Sequence, residues 1–255
     1  MSNIKFCNLH FSYEDKEIFN NINYTLEEGK SLSIIGTSSS GKTTLLKLLA
    51  GKLEYKGKLL IDNKLIDDKN KVSVIFKDTE FLNDTVIDEL KSEIIGVLNS
   101  EEIAKRLEEV NTFFNVINLY EKQINELTKE EKVLIKILSI AIGKPKFLAL
   151  DDLFIDLSIR NKILLLNYFN CNNITLINVT SDLEDVIYTD CLLCLYDSII
   201  AIEGPTLEVL SNEKILKRLG FQLPFYYDIS LQLQLYDLIS KICLNKEEMV
   251  KELWK

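Results

Sequence analysis

Histidine is almost missing from this sequence: its 255 residues hold one, His10, so no mechanism that needs paired or clustered imidazoles can be built from it. His10 falls in the first strand-like stretch and reads as an ordinary satisfied residue. Glycine is scarce as well, at 9, about half of ordinary usage. With 3 prolines and no Pro- or Ser-rich tract there is no linker, and no internal repeat is visible. Arginine occurs only at Arg106, Arg160 and Arg218, unclustered, which disfavours a small-molecule kinase with an arginine-lined lid. The five cysteines (Cys7, Cys171, Cys191, Cys194, Cys243) are odd in number and scattered, as expected of reduced thiols. Cys191 and Cys194 make a lone C-x-x-C with no second pair and no nearby histidine, so core thiols are favoured over zinc. No membrane span is expected. The longest uncharged run, Ile163 to Ser181, is broken by Asn167, Asn170, Asn172, Asn173 and Asn178. The first residues lack the basic-then-apolar pattern of a secretory signal, so a cytosolic protein is expected.

What is present describes an ordinary globular chain. Hydrophobic residues make up 47% and charged residues 27%, enough for a sizeable core in one large domain or a core with a small appendage. Lysine and arginine total 30 against 39 acids, a net charge of −9 that disfavours nucleic-acid binding. Near-continuous apolar runs at Val72–Phe76, Phe147–Leu150, Asn173–Val179 and Cys191–Tyr196 suit strands buried on both faces of a parallel sheet. Residues 84–143 read as an inserted helical lobe. Thr85-Val86 opens one helical pattern, Ser100 is expected to cap a second, Thr128 opens a third, and Gly143 with Pro145 ends it. The weakest boundary lies near Ser211, so residues 1–212 are expected to form the main domain and 213–255 a helical C-terminal extension.

The most legible stretch runs from the strand-like Ser31–Gly36 through Thr37, Ser38, Ser39, Ser40, Gly41, Lys42, Thr43 and Thr44 into a helix stopped at Gly51. Gly36-x-x-x-x-Gly41-Lys42-Thr43 is the phosphate-loop pattern in its confirming context, strand before and helix after. Backbone N–H groups and the helix N-terminus present positive charge to phosphates, Lys42 adds a full charge, and the Thr43 hydroxyl can ligate Mg²⁺. Phe147-Leu-Ala-Leu-Asp151-Asp152 ends a buried strand in two acids, which makes Asp151 a candidate Mg²⁺ ligand.

Tyr13 ahead of the loop, the helical lobe, Leu127-Thr128-Lys129-Glu130-Glu131 leading a helix, and Leu150-Asp151-Asp152 together resemble the ATP-binding subunit of an ABC transporter over almost the whole chain. The tail, with Leu219-Gly220-Phe221, Leu223-Pro224-Phe225 and an expected Leu231–Leu238 helix, resembles the energy-coupling-factor transporter ATPases of vitamin and metal-ion uptake. The resemblance implies a three-layer α/β P-loop NTPase core with a mostly parallel sheet, an antiparallel β edge, the lobe and the small extension. It implies ATP and Mg²⁺ as cofactors, a second ABC ATPase subunit and a transmembrane coupling subunit as partners, and a peripheral place on the inner face of the cell membrane. Tyr13 would stack on adenine, the alternative being a core tyrosine.

The departures from that family are equally specific. The signature segment, usually Leu-Ser-Gly-Gly-Gln, carries Lys129 and Glu130 in place of its glycines, although Thr128 and Glu131 keep a capping box. The catalytic glutamate is Asp152, shorter by one methylene. Ser181 stands at the switch histidine, Lys77 at a metal-sensing glutamine, where it could reach a phosphate oxygen, Ser158 at a loop aspartate and Ser39 at a middle glycine of the phosphate loop. Binding of Mg·ATP with weak hydrolysis at Asp152 is expected. A soluble ABC-type, ATP-responsive module without a membrane partner is the alternative.

Overall fold

The computed structural model describes residues 3–27, 29–67 and 71–254. Ten strands and nine α-helices lie along the described chain. The strands are β1 (Ile4–Tyr13), β2 (Lys16–Leu26), β3 (Leu32–Gly36), β4 (Lys56–Ile61), β5 (Lys64–Leu65), β6 (Ser73–Ile75), β7 (Phe147–Asp151), β8 (Thr175–Val179), β9 (Cys191–Tyr196) and β10 (Ile199–Pro205). The helices are α1 (Lys42–Leu49), α2 (Val86–Lys91), α3 (Ser100–Phe114), α4 (Lys129–Ala141), α5 (Ile159–Cys171), α6 (Thr206–Ser211), α7 (Glu213–Arg218), α8 (Phe225–Leu235) and α9 (Lys246–Leu253).

The strands form two sheets. One has the order β10-β9-β3-β8-β7-β6, parallel from β9 to β6, with β10 antiparallel at its edge. The other, β2-β1-β4-β5, is antiparallel, a sheet of its own rather than a continuation of the parallel one.

The apolar runs of β7 and β8 are continuous because successive side chains serve two different cores. Phe147, Ala149, Ile177 and Val179 face α1 and the antiparallel sheet, whereas Leu148, Leu150 and Leu176 pack with α4 and α5. Helix α4 is apolar around most of its circumference for the same reason: Val133, Leu134, Ile135, Ile137 and Leu138 are all buried. A third cluster, around Ile35, Leu192, Cys194, Leu216 and Tyr227, seats the C-terminal helices on the sheet face away from α1.

Helix starts follow local side-chain chemistry. The Thr85 hydroxyl accepts from the Asp88 N–H, and Thr128 with Glu131 forms a reciprocal capping box at α4. At α3 the expected cap is corrected: Asn99, not Ser100, is the N-cap, because Glu102 three residues on closes a capping box with Asn99 (N–H to carboxylate 3.1 Å, return bond 3.0 Å). The expected Leu231–Leu238 helix is also corrected. It begins at Phe225, directly after Pro224, and ends at Leu235. His10 lies in β1, where its Nδ1 accepts the Asn21 N–H at 3.2 Å.

Asn99→Ala is expected to lower the unfolding free energy by about 1 kcal/mol, the worth of a helix N-cap. Ser100→Ala is expected to stay within about 0.5 kcal/mol of the parent, as for an ordinary surface change. Urea unfolding of the two variants distinguishes the caps.

Candidate nucleotide-binding site

Because β3, β8 and β7 run parallel, the segments leaving their C-terminal ends meet on one edge of the sheet. The phosphate loop leaves β3 and enters α1 through Gly41, which takes φ 98°; a Cβ there would sit 2.7 Å from Ile18 Cγ2 and 2.8 Å from the Phe19 ring. Only glycine fits both the left-handed backbone and the space. At Gly36 a Cβ would lie 2.8 Å from the Leu195 carbonyl oxygen. Ser39 also holds a left-handed φ, 65°, which costs a non-glycine residue about 1 kcal/mol. No side chain caps the first turn of α1, so the amides of Lys42, Thr43 and Thr44 remain directed at the loop.

Lys42 Nζ donates to the carbonyls of Gly36 at 2.5 Å and Thr37 at 3.2 Å. Burial lowers the pKa of this ammonium, against the opposing charges of Asp152 and Asp151. Asp151, 7% exposed at the end of β7, accepts from the Thr43 hydroxyl at 3.1 and 3.4 Å. Burial raises its pKa, the Thr43 hydrogen bond opposes that, and the neighbouring charge of Asp152 adds to it. A hydroxyl and a buried carboxylate this close are hard oxygen donors of the kind that suit Mg²⁺, so the residues fit the ion the sequence implies. When bound with nucleotide, Mg²⁺ supplies neutralisation of phosphate charge there.

The resulting cavity, about 340 Å³, is lined by Tyr13, Ser39, Ser40, Gly41, Lys42, Thr43, Thr44, Asp151 and Asp152 from the sequence reading. Lys16 and Ile18 join them, and sequence reasoning missed both. The hairpin at Glu14-Asp15 pairs Lys16 with Tyr13 across the β1–β2 ladder, a register that could have been read from the alternation of those strands. Tyr13 is 41% exposed and packs edge-on against Phe11, centroids 4.7 Å apart. Gly36, Thr37 and Ser38 do not line the cavity; the first two supply the carbonyls that hold Lys42. Lys77 also lies outside it, exposed in the tight turn that Thr79 closes after β6. A second cavity of about 490 Å³ opens at the other ends of the strands, but its charges are already paired, Lys146 with Asp62 and Asp190 with Ser31 and Lys30.

The positions that the sequence reading marks as departures from the family are engaged within the chain. Asp152 leaves β7 with φ 53°, its N–H donates to Val179 O at 2.8 Å, and its Oδ1 accepts from the Ser181 N–H at 3.0 Å and hydroxyl at 3.3 Å. Glu130 accepts from the Ser158 N–H at 2.8 Å and from Asn161 Nδ2 at 2.7 Å, and the bonds from Ser158 hold its carboxyl below the usual range. Lys129 pairs with Asp156 at 2.6 Å. Glu131 accepts from the Thr128 N–H at 2.8 Å, which lowers its pKa in the same way.

Strand, glycine-bounded loop, uncapped helix start and a strand-end acid beside the loop's threonine define a P-loop nucleotide-binding protein. The chain matches the ABC transporter family over residues 19–154, more than half its length, and belongs to that family, whose members are ATP-binding ATPases. Similar curated proteins include the energy-coupling factor transporter ATP-binding protein EcfA1 of Oenococcus oeni, 26% identical over 100% of this chain and 98% of its own. The EcfA protein of Aster yellows witches'-broom phytoplasma is 29% identical over 96% of this chain and 92% of its own. Among solved structures, cbiO1 from Clostridium perfringens, described as part of the ABC transporter complex cbiONQ, aligns with a TM-score of 0.74 at 23% identity. It covers 85% of this chain and 94% of its own, and shows the shared fold. Among the described residues no helix is long and apolar enough to cross a membrane.

Asp151→Asn is expected to stabilise the nucleotide-free protein. A carboxyl whose pKa is raised by folding opposes the fold once pH exceeds its ordinary value, most strongly above the raised one. The variant's melting temperature in chelator should exceed the parent's by about 2–4 °C at pH 7, the size of a ~1 kcal/mol gain in a chain this long. The gain should vanish below about pH 4, where aspartate is protonated in the unfolded chain as well.

Proposed function

We propose that this chain is the ATP-binding subunit of an energy-coupling-factor type importer, binding Mg·ATP through the phosphate loop, Lys42, Thr43 and Asp151, with Tyr13 against the adenine. The observation that carries the reading is extent: the similarity to an energy-coupling factor ATP-binding protein covers 100% of this chain, beyond the family match that ends at residue 154. The proposed partners are a second ABC ATPase subunit and a transmembrane coupling subunit, with the protein peripheral on the cytoplasmic face of the membrane. Residues 1–212 would form the nucleotide-binding domain, residues 84–143 its helical lobe, and residues 213–255 the extension.

Hydrolysis is proposed to be slow, with Asp152 as the residue that orients the attacking water. Two features support this. The Asp152 carboxylate is one methylene shorter than the family's glutamate, and Ser181, standing at the switch histidine, has a side chain of shorter reach than an imidazole, its hydroxyl lying 3.3 Å from Asp152. A displacement on the order of 1 Å at a catalytic group lowers a rate by roughly a hundredfold. The signature segment is also a weak clamp for a partner's nucleotide on this reading, because Lys129, Glu130 and Glu131 are bonded to Asp156, Ser158 and Thr128 of their own chain. The Glu130 and Glu131 carboxylates set negative charge at the helix start where a triphosphate would approach.

Calorimetry with Mg·ATP is expected to show binding by the parent and none by Lys42→Ala; equal affinity in the two would remove the basis of the site. Turnover of the purified chain is expected below about 1 s⁻¹, a tenth of the median enzyme. Several turnovers per second, abolished by Asp152→Asn, would contradict slow hydrolysis. Sedimentation of membranes separates this reading from a soluble ATP-responsive module, which would stay in the supernatant.

A further inference from the structure

The carboxylate of Asp152 is held by the turn that follows β8, and that turn is itself held from below. Thr180, buried, donates its N–H to Ile34 O at 3.1 Å, and its hydroxyl accepts the Asp182 N–H at 3.1 Å. Asp182 then caps a short 3₁₀ helix, Leu183–Tyr188, by accepting the Glu184 N–H at 2.9 Å. That helix has two side-chain tethers. On its exposed side Glu184 accepts the Phe225 N–H at 2.6 Å, from the start of α8. On its buried side Asp185, 1% exposed, meets Lys162 Nζ at 2.5 Å.

Lys162 belongs to the first turn of α5, the helix reached by the loop that leaves Asp152. The two segments that diverge from the sheet edge, one after β7 and one after β8, are therefore cross-linked twice. Asp152 to Ser181 joins them at the cavity, and Lys162 to Asp185 joins them underneath. The lower link is a single-point ion pair, since Asp185 Oδ2 has no hydrogen-bond partner among the described residues, and the Lys162 ammonium also lies over the Tyr188 ring, 5.6 Å from its centroid. Burial raises the pKa of Asp185, against the opposing Lys162 hydrogen bond and charge, and the negative charge of Asp152 also reaches it.

A buried ion pair adds little to stability against an apolar pair of similar volume, because desolvating two charges offsets most of their attraction; what it supplies is a fixed geometry. We propose that Lys162 and Asp185 are positioning residues for ATP hydrolysis: their ion pair fixes the 3₁₀ helix against α5, and so sets where Ser181 holds the Asp152 carboxylate. The inference rests on the reading of Asp152 as the residue that orients water. Lys162 and Asp185 touch neither the cavity nor the phosphate loop, so their effect falls on the rate of the chemical step and not on nucleotide affinity.

The test uses the full chain with Lys162→Met and Asp185→Leu together, which removes both charges and leaves neither carboxylate nor ammonium buried alone. Two readouts are taken: kcat and KM for Mg·ATP, and hydrogen exchange at the Ser181 amide, which the upper link protects. The expected result is a kcat lower by about 10-fold with KM within about 2-fold, the pattern of a lost transition-state interaction. Exchange at Ser181 should be faster by about 10-fold, as for local opening of a weakly held segment. Lys162→Arg, which preserves the charge pair, should restore both readouts to within about 2-fold of the parent. Asp185→Asn, which preserves shape, covers the case in which the double variant does not fold; it should accelerate Ser181 exchange and lower kcat by about 3-fold. A folded double variant, or Asp185→Asn, with unchanged Ser181 exchange and unchanged kcat overturns the proposal. Failure of the site reading looks different: the parent would not bind Mg·ATP, whereas exchange at Ser181 would still report the link.

Discussion

Parallel pairing of β3, β8 and β7 brings three chain segments, each far from the others in sequence, to one edge of the sheet within hydrogen-bonding reach. The 3.1 Å contact of the Thr43 hydroxyl with Asp151 is one expression of it, joining residues separated by 108 positions. Leu150 lies opposite Asn178, and Asp151 opposite Val179, so the register of β7 on β8 decides that Asp152 emerges beside Ser181. A slip of one residue would turn Asp151 to the opposite face of the sheet and separate both pairs at once. The buried alternation of β7, in which Leu148 and Leu150 serve one core and Phe147 and Ala149 the other, holds that register in place.

The same edge concentrates charge. Two adjacent carboxylates stand beside a lysine that burial disfavours as a cation, and Asp151 is itself pushed toward its neutral form. A site with these properties carries tension in isolation and has a use for an anion next to Lys42 and a cation next to Asp151. Ser39 and Asp152 also hold left-handed backbone in this cavity. The unfavourable ionisation of Lys42 and Asp151 thus meets in one place, while α2, α3, α4 and α5 start on side-chain caps.

Much of this was legible in the sequence because it is local. Gly36, Gly41, Lys42 and Thr43 define their loop by spacing alone, and four apolar residues before Asp151 state that a buried strand ends there. The Thr128–Glu131 capping box was equally plain. The cap of α3 is also local: the residue three beyond Asn99 is Glu102, which can close a capping box, and three beyond Ser100 is Ile103, which cannot. What could not be read is the set of contacts that topology creates. Asp152 finds Ser181 across two strands, and Lys162 finds Asp185 across a helix and a turn. Lys162 and Asp185 taken singly have the composition of solvated surface positions.

On the proposed reading the altered signature positions share one physical feature. In the family, signature glycines leave the backbone free to meet something outside the chain. Here the side chains at those positions have partners inside it: Glu130 on the backbone of Ser158 and Lys129 on Asp156. A donor or acceptor that is already bonded must first break that bond to serve a ligand, so its net contribution falls to the difference between two similar hydrogen bonds. On the proposed reading this is the origin of a weak clamp. It also separates these positions from the phosphate loop, where the uncapped amides of α1 have no competing side chain and keep their full attraction for phosphate.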